Sequence, residues 1–184
     1  TIGLIKLDMY GKPVLDVATG QPLKASSTSR TDIRVLSHVF TGWTLGDSPD
    51  TGNTFGFGGF PTSRNDRCFT VPMRPFTNFH ATDADVRYSV AQQTGEAEAN
   101  VVVKLWEQPF TMGATPQASL TKVLDILFGP VGDSSTAHQN VAPFIAKQMI
   151  QRLVTSNPSA NYIYRVATAF KNSYWSLKTL VRAI

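Results

Sequence analysis

The 184-residue sequence contains a single cysteine, Cys68. That excludes an intrachain disulfide framework and any metal site built on several thiolates. No apolar run approaches the ~20 residues that a membrane-spanning helix needs. Charged residues are sparse, 16% against the ~25% usual in globular domains. Hydrophobic residues still make up 42% of the chain, so wholesale disorder is excluded. A chain of this length buries roughly 70% of its unfolded surface without staples, so one domain with room for a lesser subdomain is expected. Acidic residues are missing from one region above all: none follows Asp133.

That absence makes the charge lopsided. Residues 1–100 hold nine Lys/Arg and ten Asp/Glu, whereas residues 101–184 hold eight against three. Lys147, Arg152, Arg165, Lys171, Lys178 and Arg182 stand unopposed and are the candidate partner-binding residues. Such a surface favours anionic partners. An acidic protein surface within a larger assembly is the expected partner, and an anionic glycan is a second class. The basic residues are spread along helical patterns without a recognition motif, which argues against nucleic acid. The competing explanation is an acidic counterpart elsewhere in a longer polypeptide, packed against this face. The chain lacks an initiator Met and closes inside a helical pattern, Leu177–Ile184, so it reads as a processed piece or excerpt of something longer.

Local patterns predict a mainly α fold. Residues 1–30 repeat an Asp–Gly–Pro turn unit, Leu7-Asp8-Met9-Tyr10-Gly11-Lys12-Pro13 then Leu15-Asp16-Val17-Ala18-Thr19-Gly20-Gln21-Pro22, which reads as a small β-hairpin or meander. A helix over 32–43 follows, with Thr31 as N-cap and Ile33, Leu36, Val39, Phe40 and Trp43 inward. Residues 44–81 hold five Gly, four Pro and six Phe, a long irregular segment that includes Phe55-Gly56-Phe57-Gly58-Gly59-Phe60. Those rings are expected to dock on the helices. Thr82 or Asp83 caps a helix over about 83–93, with Val86, Val90 and Tyr88 as candidates for its inner face and Gly95 as its end. Val101-Val102-Val103 reads as a short strand. Residues 114–184 read as a four-helix region with short connections, an antiparallel bundle. Its starts are assigned to Thr115-Pro116, Asn140, Asn157-Pro158 and Ser173.

Chemistry-bearing residues are thin. His80, Asp83, Asp85 and Arg87 form the densest polar group, and His80, Asp83 and Arg87 are the catalytic candidates. Two carboxylates beside a helix start also serve as caps, which explains them without catalysis. Asp83 and Arg87 stand i,i+4 and could pair. A metal there needs a further ligand such as His38 or His138. Asp8 and Asp16 are the metal candidates for a calcium loop, but calcium wants six to eight oxygens and the stretch has no closing Glu. Cys68 follows Arg64 and Arg67, which could lower its pKa. There is no nucleophile elbow and no phosphate-cradling loop, and no cofactor is expected.

Three blocks carry a family resemblance: Thr31-Asp32-Ile33-Arg34-Val35-Leu36-Ser37-His38-Val39-Phe40-Thr41-Gly42-Trp43-Thr44, then Ala142-Pro143-Phe144-Ile145-Ala146-Lys147-Gln148-Met149-Ile150-Gln151-Arg152-Leu153-Val154-Thr155-Ser156-Asn157-Pro158-Ser159, then Arg165-Val166-Ala167-Thr168-Ala169-Phe170 with Leu177–Ile184. Their order and wording resemble the bacterial family called domain of unknown function 1800. The resemblance implies a largely helical protein of several hundred residues, of which this chain would be the C-terminal portion. It also implies a periplasmic or secreted setting, because many members carry export signals. It brings no established activity. Members usually show a His-Asp pair shortly before a Lys. Here His80-Ala81-Thr82-Asp83 displaces the Asp by two positions, and Arg87 stands where the Lys would be, so residues 45–113 read as diverged. The expected function is a non-catalytic helical scaffold, or subunit, docking to an acidic surface. The alternative is a metal-dependent hydrolase or glycan-acting enzyme with a site near His80 and Asp83.

Overall fold

Short turns closed by aspartate side chains shape the beginning of the chain. The computed structural model describes residues 3–25, 30–44 and 72–184. Asp8 Oδ1 accepts the amides of Tyr10 and Lys12, both at 2.9 Å. Asp16 Oδ1 accepts those of Ala18 and Thr19 at 3.0 and 2.8 Å. Between the turns, Ile5 bridges Lys24, Leu7 bridges Pro13 and Leu15 bridges Pro22, all antiparallel. The expected meander is therefore present.

Six α-helices follow among the described residues: α1 (Arg30–Val39), α2 (Asp83–Thr94), α3 (Pro116–Phe128), α4 (Val141–Leu153), α5 (Ala160–Asn172) and α6 (Leu177–Ala183). Two-residue strands β1 (Trp43–Thr44) and β2 (Arg74–Pro75) pair antiparallel, as do β3 (Lys104–Leu105) and β4 (Gln108–Pro109). The fold is mainly α with small β elements. The Phe55–Phe60 loop and Cys68 lie outside the described residues. The chain divides into two compact units. One comprises the residues up to Ile33, Lys104–Gln108 and Val123–Ile184; the other comprises Arg34–Val103 and Pro109–Lys122.

In the first unit the core is a stripe of small and branched side chains. Ala142, Ala146 and Ile150 from α4 meet Ile163, Val166, Ala167 and Phe170 from α5, with Leu180 from α6. The spacing of four along α4 and of three to four along α5 puts each set on one helical face. Alanines at the contact let the helices approach closely. Trp175 packs edge-on against Phe170 and Phe128 and donates its indole N–H to the Phe128 carbonyl at 2.6 Å. The meander leans on this bundle: Tyr10 stacks on Tyr164 with ring centroids 4.6 Å apart.

Several local expectations are corrected. Helix α1 ends at Val39, not at residue 43, because the chain turns at Thr41 and Gly42 and Trp43 enters β1. Thr31 lies inside α1 rather than capping it. Its buried face is Asp32, Val35 and Val39, whereas Ile33 and Phe40 are 61% and 58% exposed. Asp32 explains that phase: its Oδ1 accepts the buried Trp106 amide at 2.8 Å, at the turn between β3 and β4. Trp106 and Glu107 both have positive φ there, the backbone of a two-residue hairpin turn. Val101–Val103 is not a strand; pairing begins at Lys104. Tyr88 points outward. Ser159 and Ser176, rather than Asn157 and Ser173, accept the first-turn amides of α5 and α6. Asn140 stands before α4 but does not cap it with its side chain. Fully buried, it instead accepts the Leu7 amide and donates to the Ile5 carbonyl, both at 2.8 Å, and so clamps the meander.

Candidate functional site

The catalytic candidates fall in the second unit, and the structure gives their polar atoms definite partners. Thr82 and Asp85 form a reciprocal capping box at the start of α2, and Gly95 ends the helix in a left-handed conformation. Thr82 donates both its amide and its hydroxyl to the Asp85 carboxylate at 2.7 Å, and these bonds hold Asp85 below the usual carboxylate range. Asp83 Oδ1 accepts the Met112 amide at 2.5 Å. The carboxylates flanking the helix start thus cap it and anchor a distant loop.

His80 sits at a junction of three segments. Its Nδ1 lies 3.0 Å from the Thr41 carbonyl oxygen, and its Nε2 lies 2.6 Å from Ser119 Oγ. A carbonyl only accepts, so Nδ1 carries a proton, and in the neutral ring Nε2 accepts from the serine hydroxyl. Ser119 Oγ in turn accepts the Gly113 amide at 2.8 Å. Thr41 Oγ1 accepts the Ala81 amide at 2.8 Å and donates to the His38 carbonyl at 2.6 Å. Gly42 permits the junction. Its φ is +76°, and a Cβ there would stand 2.7 Å from the Phe76 carbonyl oxygen. A serine beside a histidine invites comparison with a nucleophile and its base; here Ser119 is fully buried. The chain Thr41–His80–Ser119–Gly113 ties the end of α1 and the start of α3 to the segment before α2.

Arg87 is exposed. With Asp83 it borders a cleft of about 410 Å³ walled by Val101, Val102, Val103, Pro109, Phe110 and Thr111. Asp83 and Arg87 thus share a cleft, while His80 turns its ring atoms to Thr41 and Ser119. His38 bonds within its own helix, Nδ1 to the Arg34 carbonyl at 2.8 Å. Asp8 and Asp16 spend Oδ1 on their own turns. Thr19 in particular, through its amide and hydroxyl, keeps the Asp16 carboxyl below the usual range. Among the described residues no three His, Cys, Asp or Glu side chains are grouped to hold a metal ion.

The basic candidates lie in the first unit and divide by exposure. Arg152, Arg165, Lys178 and Arg182 are exposed, whereas Lys147 and Lys171 are half-buried. The Arg165 guanidinium lies over the Tyr162 ring, 5.1 Å from its centroid. On α6, Leu177 and Val181 are 65% and 55% exposed, next in sequence to Lys178 and Arg182. No helix of the described residues is long and apolar enough to cross a membrane.

Sequence reasoning missed Thr41, Ser119 and Asn140. Their partners lie 39, 39 and at least 133 positions away, and no local pattern marks such pairs. Thr41 and Gly42 had one signal, their place in the phrase Phe40-Thr41-Gly42-Trp43 within a block that carries the family resemblance.

Helices, small strands and a histidine-centred junction define a mainly α protein. The sequence pattern of the family described as protein of unknown function (DUF1800) matches residues 24–184, and the chain belongs to that family. The match takes in all six helices and leaves most of the opening meander outside it. Comparison with curated proteins and with solved structures finds no match.

Proposed function

We propose that the chain is a non-catalytic helical docking module, a subunit of a larger extracytoplasmic assembly whose α4–α6 surface meets an acidic partner. The observation that carries the reading is the outer side of α6. Leu177 and Val181 stand exposed one turn apart, beside the exposed cations Lys178 and Arg182. Apolar area framed by charge of one sign suits an interface with a dry centre and a complementary rim. Arg152 and Arg165 extend the positive field, and no carboxylate side chain after Asp133 opposes it. The partner bonds of His80, Asp83 and Asp85 support the same reading, because they give these groups work as caps and ties.

The test is the mass of the native protein isolated from its own cells, measured by light scattering. A complex that persists at low salt, dissociates at high salt and is lost in K178E/R182E is the expected result. A free monomer in the wild type, a complex indifferent to the double reversal, or metal-dependent hydrolytic turnover by the isolated chain overturns the proposal.

A further inference from the structure

The first unit contains a cleft that the docking reading does not use. It has a volume of about 370 Å³ and is lined by Leu7, Asp8, Met9 and Val14 of the meander, by Ser135, His138 and Gln139, and by Lys171 and Trp175. A second hollow adjoins it, sharing Ser135 and Lys171. We infer that this cleft binds a small acidic sugar, a hydroxylated ring bearing one carboxylate, with the carboxylate on Lys171 and His138 and a carbon face against Trp175.

The polar groups present set the chemistry. Lys171 is half-buried, and its ammonium makes no hydrogen bond or ion pair with any described residue. A cation partly withdrawn from water and unpaired favours an anion. Its charge is felt by Asp133, whose carboxyl is held below the usual range chiefly by the hydroxyl and amide of Ser135 and only secondarily by Lys171. His138 lines the cleft and brings a donor to it. Its Nδ1 accepts the Asn140 amide at 3.2 Å, so the neutral ring carries its proton on Nε2. Burial, reinforced by the Lys6 cation, pushes its pKa down and keeps it neutral at pH 7, against the weaker pull of Glu107 and Asp32. Its backbone is pinned to the last turn of α3, where its amide meets the carbonyls of Ile126 and Leu127.

Donors alone would suit any carboxylate. Asp8 narrows the class. Its Oδ1 serves the turn, and Asp8 lines the cleft, where the charge of its carboxylate disfavours a second anion and favours hydroxyls that donate to it. Gln139 adds an amide that both donates and accepts, and the Ser135 hydroxyl, whose proton goes to Asp133, remains an acceptor. A ligand that fits must therefore offer one negative group, several hydroxyls and an apolar face. Met9, Val14 and the indole of Trp175 supply the wall for that face. The volume lies at the small end of the ~300–1,000 Å³ range of ligand pockets, which suits one ring rather than a chain.

The experiment titrates the full chain with sodium glucuronate and follows the His138 and Trp175 side-chain NMR signals, with glucose, acetate and benzoate in parallel. The expected result is saturable binding of glucuronate with a millimolar-range Kd, at least tenfold weaker binding of the other three, and at least tenfold loss in K171M. K178M, an equal charge change on α6, should bind as the wild type does, and K171R should retain binding if K171M proves poorly folded. The inference is overturned if glucuronate shifts neither signal, if benzoate binds as tightly as glucuronate, or if K171M and K178M behave alike. The assembly measurement above is independent of this outcome, since it reads α6 rather than the cleft.

Discussion

Asn140 offers the most demanding test of how the first unit is held together. Its side chain is fully buried and makes two 2.8 Å hydrogen bonds, accepting from the Leu7 amide and donating to the Ile5 carbonyl. Asn140→Ala removes both and leaves two backbone groups of the meander without partners. Each lost bond is worth about 0.5–1.5 kcal/mol net, and each partly buried orphan adds to that, so a loss of roughly 2–4 kcal/mol is expected. For a chain of this size that corresponds to a Tm lower by about 5–12 °C. Calorimetry gives the magnitude, and amide hydrogen exchange gives the place. The Leu7 and Val14 amides should lose protection well before those of α4 and α5. Asn140→Asp refines the test. It keeps an acceptor for Leu7 but sets a carboxylate against the Ile5 carbonyl, so it should be at least as damaging at neutral pH and milder when protonated in acid. A loss under ~0.5 kcal/mol for Asn140→Ala, or unchanged exchange at Leu7, would refute the clamp.

Gly42→Ala should destabilise the second unit by more than about 2 kcal/mol in denaturant unfolding, since it adds a left-handed penalty to a methyl 2.7 Å from the Phe76 carbonyl oxygen; a neutral result would sink that argument. His138 has a depressed pKa in the folded chain, so the unfolded chain binds more protons as pH falls below 6.5. The stability this contributes is present above pH 6.5 and lost as pH falls through the folded value. Melting curves should show this fall between neutral and mildly acidic pH. His138→Asn, which keeps an acceptor for the Asn140 amide, should flatten it, and an unaltered pH slope in that variant would contradict the assignment.

Where local chemistry decides, the chain could be read directly. Thr82, Asp85 and Gly95 bound α2 because capping and left-handed termination act within one turn of helix. The stripe Ile163–Val166–Phe170 announces a buried face because helical periodicity is itself local, whereas on α4 the small Ala142 and Ala146 pack inward with Ile150 and the larger Leu153 and Val154 stand exposed. The paired Asp–Gly–Pro turns likewise announced the meander.

Tertiary structure alone decided the rest. The inner face of α1 was misjudged because a buried aspartate, Asp32, has a use at the Trp106 amide, while apolar Ile33 and Phe40 face outward. The partners of the two His80 nitrogens, Thr41 and Ser119, are set by packing, and Asn140, expected as a cap, instead gives its side-chain amide to the meander. A polar side chain states how many hydrogen bonds it must make, but not with whom. When partners lie tens of residues apart, only the packing of apolar faces brings them within 3 Å and so fixes whether a group is a tie, a cap or part of a binding cleft.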